Sequence, residues 1–315
     1  MFVLNNGPDY NSFTVNTCTD FCDTTFSAYS EKNSFIVLHQ NIRSLRQNFD
    51  ALVCQLSSIH RWPDFIFVTE IWIYSSEINS YSIPGYNFFA FPNDKYSAGG
   101  VGVFIKSNLS CRTLSCNLAS ADTMEVNFVI GRVAFTIVCF YRLHSGPVHM
   151  FLTELDNFLQ YKNANNLLLV GDFNIDMLED SDAIDSYISF LSKYGLYSFL
   201  NTPTRKPSGS CLDHVIGRFT TPQSTFDCFN FDLDLTDHYM TGLAVQILND
   251  RPMQSASQSR PFIDFDKLND CLLLETWDEV FAALDASEGY SAFSSILKRH
   301  IDSCALDILP RSNKI

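Results

Sequence analysis

From Ser34 onward the chain alternates between short apolar runs and polar breaks. FIVLHQNI (35–42) reads as a buried strand ending on polar groups, and DFIFVTEI (64–71) as a second one ending on an acid. Continuous runs of this length fit strands covered on both faces. Between them Leu45, Phe49, Leu52 and Leu56 recur at three- and four-residue spacing and predict a helix. GGVGVFIKS (99–107), MEVNFVI (124–130) and RVAFTIVCFYR (132–142) form a strand-rich middle, and NFFAFP (87–92) alternates as a half-buried strand does. GPVHMFLTELDNFLQYK (146–162) is helical, with Phe151, Leu155 and Phe158 on one face, and NLLLV then returns to the sheet. A further helix is expected over 181–194, with short strands near 196–200, 211–216, 227–231 and 241–247. Strands grouped in sets, with few helices between them, predict two packed sheets flanked by helices rather than a doubly wound parallel sheet.

The flanks read differently. Residues 1–33 are polar and turn-rich without a period, and are expected to form a poorly ordered tail. The domain proper spans 34–248, and the polar, proline-bearing stretch 249–262 reads as a linker. Residues 263–315 return to helical periodicity and run to LPRSNKI, which reads as the start of a longer product.

The predicted strand ends share one habit. Each apolar run gives way to groups able to bind metal or phosphate: Asn41, Glu70, Tyr141 with Arg142, Asp172 with Asn174, Asp213 with His214, and Asp237 with His238. Any one of these, GDFNID (171–176) above all, is also an ordinary turn signal. Strand ends lie side by side in a sheet, however, so the set is expected to converge on one mouth. Carboxylate and amide oxygens suit a hard dication such as Mg²⁺, and Glu70 with Asn41 or Asp237 offers them. Asp172 is the candidate for activating or positioning a water, while Asn174, Tyr141 and His238 have donors for phosphoryl oxygens. Asp213 is placed to hold His238 as a cation. His214, next to Asp213 on a strand, points to the opposite face and reads as structural, as does His39. Arg142 reads equally as a phosphate contact and as the partner of a surface acid.

Composition narrows this. The 315 residues are 46% hydrophobic with a net charge of −14, so the chain buries a large core but lacks the basic face of a nucleic-acid coating protein. An acidic balance leaves room for a nuclease, whose site must itself be acidic to hold a dication. The ten cysteines are scattered with no CxxC, which argues against zinc and for a reducing, intracellular setting. The N-terminal residues show no signal-peptide pattern, and no apolar run has the length of a membrane span.

In order, QNI, TEIW, CFYR, GDFNID, SCLDH and TDH resemble the endonuclease/exonuclease/phosphatase superfamily, over roughly residues 34–247. The phrases HQNIRSL, IPGYNFFAFPNDKYSAGGVGVFIK and TPTRKPSGSCLDHVI are similar, more narrowly, to the endonuclease domain of non-LTR retrotransposons. The resemblance implies a deoxyribonuclease I-like four-layer α/β sandwich, two mixed β-sheets flanked by helices. It implies a Mg²⁺-dependent DNA endonuclease (Mn²⁺ suiting the same oxygens), with DNA as substrate, element RNA or a polymerase as partners, and the nucleus as its place of work. It implies metal ligation by Glu70, Asn41 and Asp237, and catalysis by Asp172, His238, Tyr141, Asn174 and Asp213. Thr204 and Ser210 fall where contacts to the DNA backbone are expected, and Arg142, on its own residues, is the third candidate for binding substrate. Residues 263–315 resemble the connector toward a reverse transcriptase. Two alternatives stay open: a phosphoesterase of the same fold acting on an inositol phosphate or sphingolipid, and an inactive fragment of a decayed element. TEIW stands where a TET-type phrase is commoner, a departure after the glutamate that leaves Glu70 itself in place.

Overall fold

The runs FIVL (35–38), FIFV (65–68) and LLLV (167–170) are apolar throughout because the strands they form are covered on both faces. The computed structural model describes residues 14–18, 21, 25–93, 98–116, 118–144, 146–162, 164–220, 224–247, 262–263 and 265–306. The chain divides into two compact units, Met1–Asn249 and Asp250–Ile315.

The first unit opens with β1 (Thr14–Cys18), β2 (Ser34–Asn41), α1 (Leu45–Leu56) and β3 (Phe65–Thr69). A 3₁₀ turn over Ser75–Ser80 leads to β4 (Tyr86–Phe91), β5 (Val101–Lys106), β6 (Cys111–Leu114), β7 (Ala121–Ile130) and β8 (Val133–Arg142). Then come α2 (Val148–Gln160), β9 (Asn166–Asp172), α3 (Asp182–Lys193) and β10 (Tyr197–Ser198). β11 (Asp213–Phe219), β12 (Ser224–Phe231) and β13 (Met240–Ile247) close the unit. They build a seven-stranded mixed sheet, β1-β12-β13-β2-β3-β5-β4, and a six-stranded mixed sheet, β10-β11-β9-β8-β7-β6.

Alternation along each strand divides the apolar residues between two layers. Phe35, Val37, Phe67 and Val103 of the larger sheet share one core cluster with Val126, Ile137, Cys139 and Val170 of the smaller. Ile36, Leu38 and Val68 face the other way, onto Leu45, Leu52 and Leu56 of α1. Val138, Phe140, Leu167 and Leu169 likewise meet Phe151 and Leu155 of α2 and Tyr187 of α3. The result is helix, sheet, sheet, helix, the sandwich expected.

Part of the stretch read as a tail is built into this unit. β1 pairs in parallel with β12, and Phe21 and Phe26 are buried, Phe21 lying edge-on to Phe231 at 4.6 Å between ring centroids. The signal was weak because these aromatics follow no period. Of the stretch 249–262 read as linker, 249–261 lies outside the described residues and Phe262 begins a short strand. The second unit carries β14 (Phe262–Ile263), α4 (Phe265–Leu274), α5 (Asp278–Phe281), α6 (Ala286–Ser303) and β15 (Ala305–Leu306). Asp285 caps α6, its Oδ1 accepting from the Ser287 and Glu288 amides at 2.9 Å.

Gly171 explains part of the GDFNID phrase. It stands at φ 135°, and a Cβ there would lie 1.9 Å from the Phe140 carbonyl oxygen of the neighbouring parallel strand. Only glycine fits such a conformation at such an approach. Gly171→Ala is therefore expected to lower stability by more than about 4 kcal/mol. Chemical denaturation checks this, and a loss under 1 kcal/mol (roughly surface-mutation size) would contradict it.

Candidate active site

The parallel strands β2, β3, β8 and β9 all end at one edge of the sandwich, where β11 begins. Register pairs Asn41 with Thr69, Tyr141 with Asp172, and Asp172 with Asp213. The two sheets meet here through side chains. Asn41, from the larger sheet, donates its amide Nδ2 to Asp172 Oδ2 of the smaller at 2.8 Å, and to Glu70 Oε1 at 2.8 Å. His238, just before β13, bonds through Nδ1 to Asp213 Oδ2 at 2.8 Å. Asp172, Asp213 and His238 bring one polar atom each within 4.8 Å of one another, all three residues being buried.

Electrostatics separates the two central acids. Burial, then the charge of Asp213, raises the Asp172 carboxyl well above its ordinary range, against the pull of His238, Asn41 and the Asn174 amide. Burial opposes ionisation of Asp213 too, but His238 at hydrogen-bond distance, with His39 and Thr204, holds it below the usual value. Burial alone would lower His238, yet Asp213, Asp172 and Asp237 together lift it to about 9. His39, whose Nδ1 is 3.7 Å from Asp213 Oδ1, is pushed down to about 4 by burial, so the charged partner of Asp213 is His238. Burial raises the Tyr141 hydroxyl, with the charges of Glu70, Asp172 and Asp122 adding to it, so it stays a proton donor.

The strand-end turn is held from below. Asn174 takes the left-handed conformation at φ 49° and donates its backbone N–H to Asp172 Oδ1 at 3.0 Å. Its side-chain amide donates to the Arg142 carbonyl at 2.8 Å. Arg142, only 3% exposed, reaches neither phosphate nor a surface acid. Its guanidinium fans over the carbonyls of Phe173 (2.6 Å), Gly146 (2.7 Å), Asn174 (2.7 Å) and Leu143 (3.3 Å). Arg142→Met is thus expected to cost about 3 kcal/mol through carbonyls left unpaired, measured by denaturant titration. A variant as stable as the parent would exclude this bracing role.

Thr204 and Ser210 also differ from expectation. Thr204 is fully buried, and its hydroxyl accepts from the Leu212 and Asp213 amides at 2.9 Å each, so it sets where Asp213 starts its strand. Ser210 is 8% exposed, with its hydroxyl on that of Ser208. Neither is presented to a DNA backbone. Asp237 departs as well: Arg43 Nη1 meets its Oδ1 at 2.6 Å and Arg205 Nε its Oδ2 at 3.2 Å, so guanidinium groups occupy both oxygens expected for a metal. Arg43 and Arg205 carry no spacing signal that would have singled them out. Asp176 serves the turn, accepting from the Leu178 and Cys211 amides. His214 is structural as expected, buried between the Tyr187 hydroxyl and the carbonyls of Ile175 and Cys211.

Residues 38–238 match the Endonuclease/Exonuclease/phosphatase family. The chain belongs to this family. The match spans the whole polar cluster, from the strand that carries Asn41 to His238. No curated protein sequence matches the chain. Among solved structures it is similar to the endonuclease domain of TRAS1, a telomere-specific non-LTR retrotransposon, at 15% identity and TM-score 0.56, covering 69% of this chain and 100% of that one. It is similar to a family protein from Bacteroides thetaiotaomicron (13%, TM-score 0.52, 70% and 100% covered). It is also similar to the human Nocturnin catalytic domain (15%, TM-score 0.51, 69% and 94% covered). At these identities the likeness is one of fold, and the fold is the deoxyribonuclease I-like sandwich shared across this hydrolase family. No helix among the described residues is long and apolar enough to cross a membrane.

Proposed function

We propose that this chain is a divalent-metal-dependent phosphodiesterase that nicks DNA. The observation that carries the reading is the geometry of the mouth: the Asn41 amide bridges Glu70 and Asp172 at 2.8 Å each, beside the 2.8 Å His238–Asp213 bond, with burial raising Asp172 and His238 holding Asp213 low. Such a split assigns separate acid–base tasks to two chemically identical groups. Asp172, bonded to Asn41 and to the Asn174 amide, takes the proton of the attacking water. His238, kept cationic by Asp213, faces the phosphoryl oxygens as a charged donor, with the neutral Tyr141 hydroxyl beside it. Asn174 fixes the turn, and with one N–H of its side-chain amide held by the Arg142 carbonyl the other is left for the same oxygens.

Glu70 and Asn41 fit a hard dication. Glu70 is half-buried and so reachable from solvent, and its carboxylate and that of Asp172 share one amide. This oxygen-rich donor set is what Mg²⁺ prefers, and Mn²⁺ suits it equally. A bound cation would offset charge building on the phosphoryl oxygens. Asp237 is left to hold Arg43 and Arg205 rather than the metal.

The choice of DNA is supported by the retrotransposon phrases and by the likeness in fold to the TRAS1 endonuclease domain. On this reading the nick serves retrotransposition in the nucleus, with element RNA or a polymerase as the natural partners. The test is conversion of supercoiled plasmid to open circles by the full chain with Mg²⁺. EDTA, and Glu70→Ala in the presence of Mg²⁺, are each expected to lower the rate at least about 100-fold, as loss of electrostatic stabilisation does elsewhere. Hydrolysis of an inositol phosphate or sphingolipid with plasmid untouched would move the substrate away from DNA. A folded chain inert on all three would be a decayed copy.

A further inference from the structure

Arg43 and Trp72 each stand two residues beyond a residue of the mouth, Asn41 and Glu70. Both adopt the left-handed region, at φ 44° and 49°, and so do Ser44 at 93° and Glu70 at 52°. Bulky side chains avoid this region, so the surrounding structure holds them there. The Ser44 and Leu45 amides donate to the carbonyls of Glu70 and Ile71 at 2.8 and 3.0 Å, locking the two turns together. These turns border an open cavity of about 430 Å³ lined by Arg43, Gln47, Asn48, Trp72, Leu235, Thr236 and Asp237. Its volume lies in the range of small-molecule sites, roughly 300–1,000 Å³. Because Asp237 belongs both to this cavity and to the edge of the mouth, the cavity opens beside the position of the scissile phosphate.

The lining decides what it accepts. It is not built for a second anion, since Arg43 already answers Asp237 at 2.6 Å. Asn48 spends its amide nitrogen on the Ile42 carbonyl at 2.8 Å, and the Thr236 hydroxyl is spent on the Asn41 carbonyl at 3.0 Å, so both stiffen the walls. Two groups remain for a ligand. Trp72 offers a flat, half-buried ring, and the exposed Gln47 amide in the first turn of α1 offers a donor and an acceptor. A planar stacking surface beside a bifunctional amide, in a site with little net charge, matches a nucleobase.

We infer that this cavity takes an unpaired base next to the scissile phosphate, stacked on Trp72 with the Gln47 amide along its edge. The inference rests on the DNA reading above and assigns Trp72 and Gln47 to base selection rather than to chemistry.

Binding by the full chain in EDTA tests it, with hydrolysis stopped. Fluorescence anisotropy compares a labelled single-stranded oligonucleotide with an abasic one of equal length, which keeps the phosphates and lacks every base. The wild type is expected to bind the base-bearing strand about tenfold tighter, the scale of one aromatic stacking contact. Trp72→Ala is expected to erase that preference while binding the abasic strand as the wild type does. Trp72→Phe, which keeps a ring and guards against a folding artefact, is expected to retain most of it. A base preference that survives Trp72→Ala overturns the pocket, and so does a wild type that binds both strands equally; in either case the nuclease reading stands. A folded wild type that binds neither strand removes the DNA reading together with the pocket.

Discussion

Asp172→Asn is expected to reduce plasmid nicking by about 10³-fold, with the fold retained. General-base catalysis by a positioned side chain is worth about 10²–10⁴-fold, and Asp172 has the environment for it. It is fully buried in the mouth, its carboxyl is raised by burial and by Asp213, and two donors fix its orientation. Asparagine keeps the size of the side chain and accepts no proton. Sign matters for its pH behaviour. A carboxyl whose folded value lies above its unfolded value favours the folded state at low pH, and that advantage is lost as pH rises from the unfolded value through the folded one. The variant should therefore show a flatter dependence of melting temperature on pH above the ordinary carboxylate range. Single-turnover nicking and thermal melts across pH check both statements. Activity within threefold of the parent would remove Asp172 from the chemistry.

His238→Ala is expected to do two kinds of damage that a second substitution separates. It leaves the Asp213 carboxylate, which has no solvent exposure, without its charged partner. Breaking a buried pair in this way costs about 3–5 kcal/mol. Adding Asp213→Asn removes the stranded charge and should recover most of that stability, while hydrolysis stays depressed by about 10²-fold or more because the cationic donor is still missing. If the double variant recovered activity along with stability, His238 would be a structural residue only. The wild-type pair also has a pH signature. His238 is raised from 6.5 to about 9, so its contribution to stability is complete below pH 6.5 and disappears as pH rises through 9. Activity that needs the cation should fall over the same alkaline limb.

Much of this was legible in the sequence because burial leaves a local trace. A strand covered on both faces needs an unbroken apolar stretch, so FIVL, FIFV and LLLV declared themselves, and α1, α2 and α3 followed from their spacing. The order of polar groups at the strand ends likewise placed Asp172, Asp213 and His238 in one mouth. What the sequence left undecided is which polar group meets which. Asn41 and Asp172 touch across 131 positions of chain, and Thr204 reaches the Asp213 amide through the turn closed between Arg205 and Ser210. Arg142 turns inward to brace carbonyls, Asp237 takes two guanidinium groups, and Gly171 is required by the Phe140 carbonyl of a neighbouring strand. Hydrophobic periodicity records whether a residue is buried, a property of one position and its nearest neighbours. Charge pairing, pKa and close backbone approach depend on two distant segments at once, so the sequence determined the sandwich and the residues at its mouth, while only the tertiary structure decided their roles.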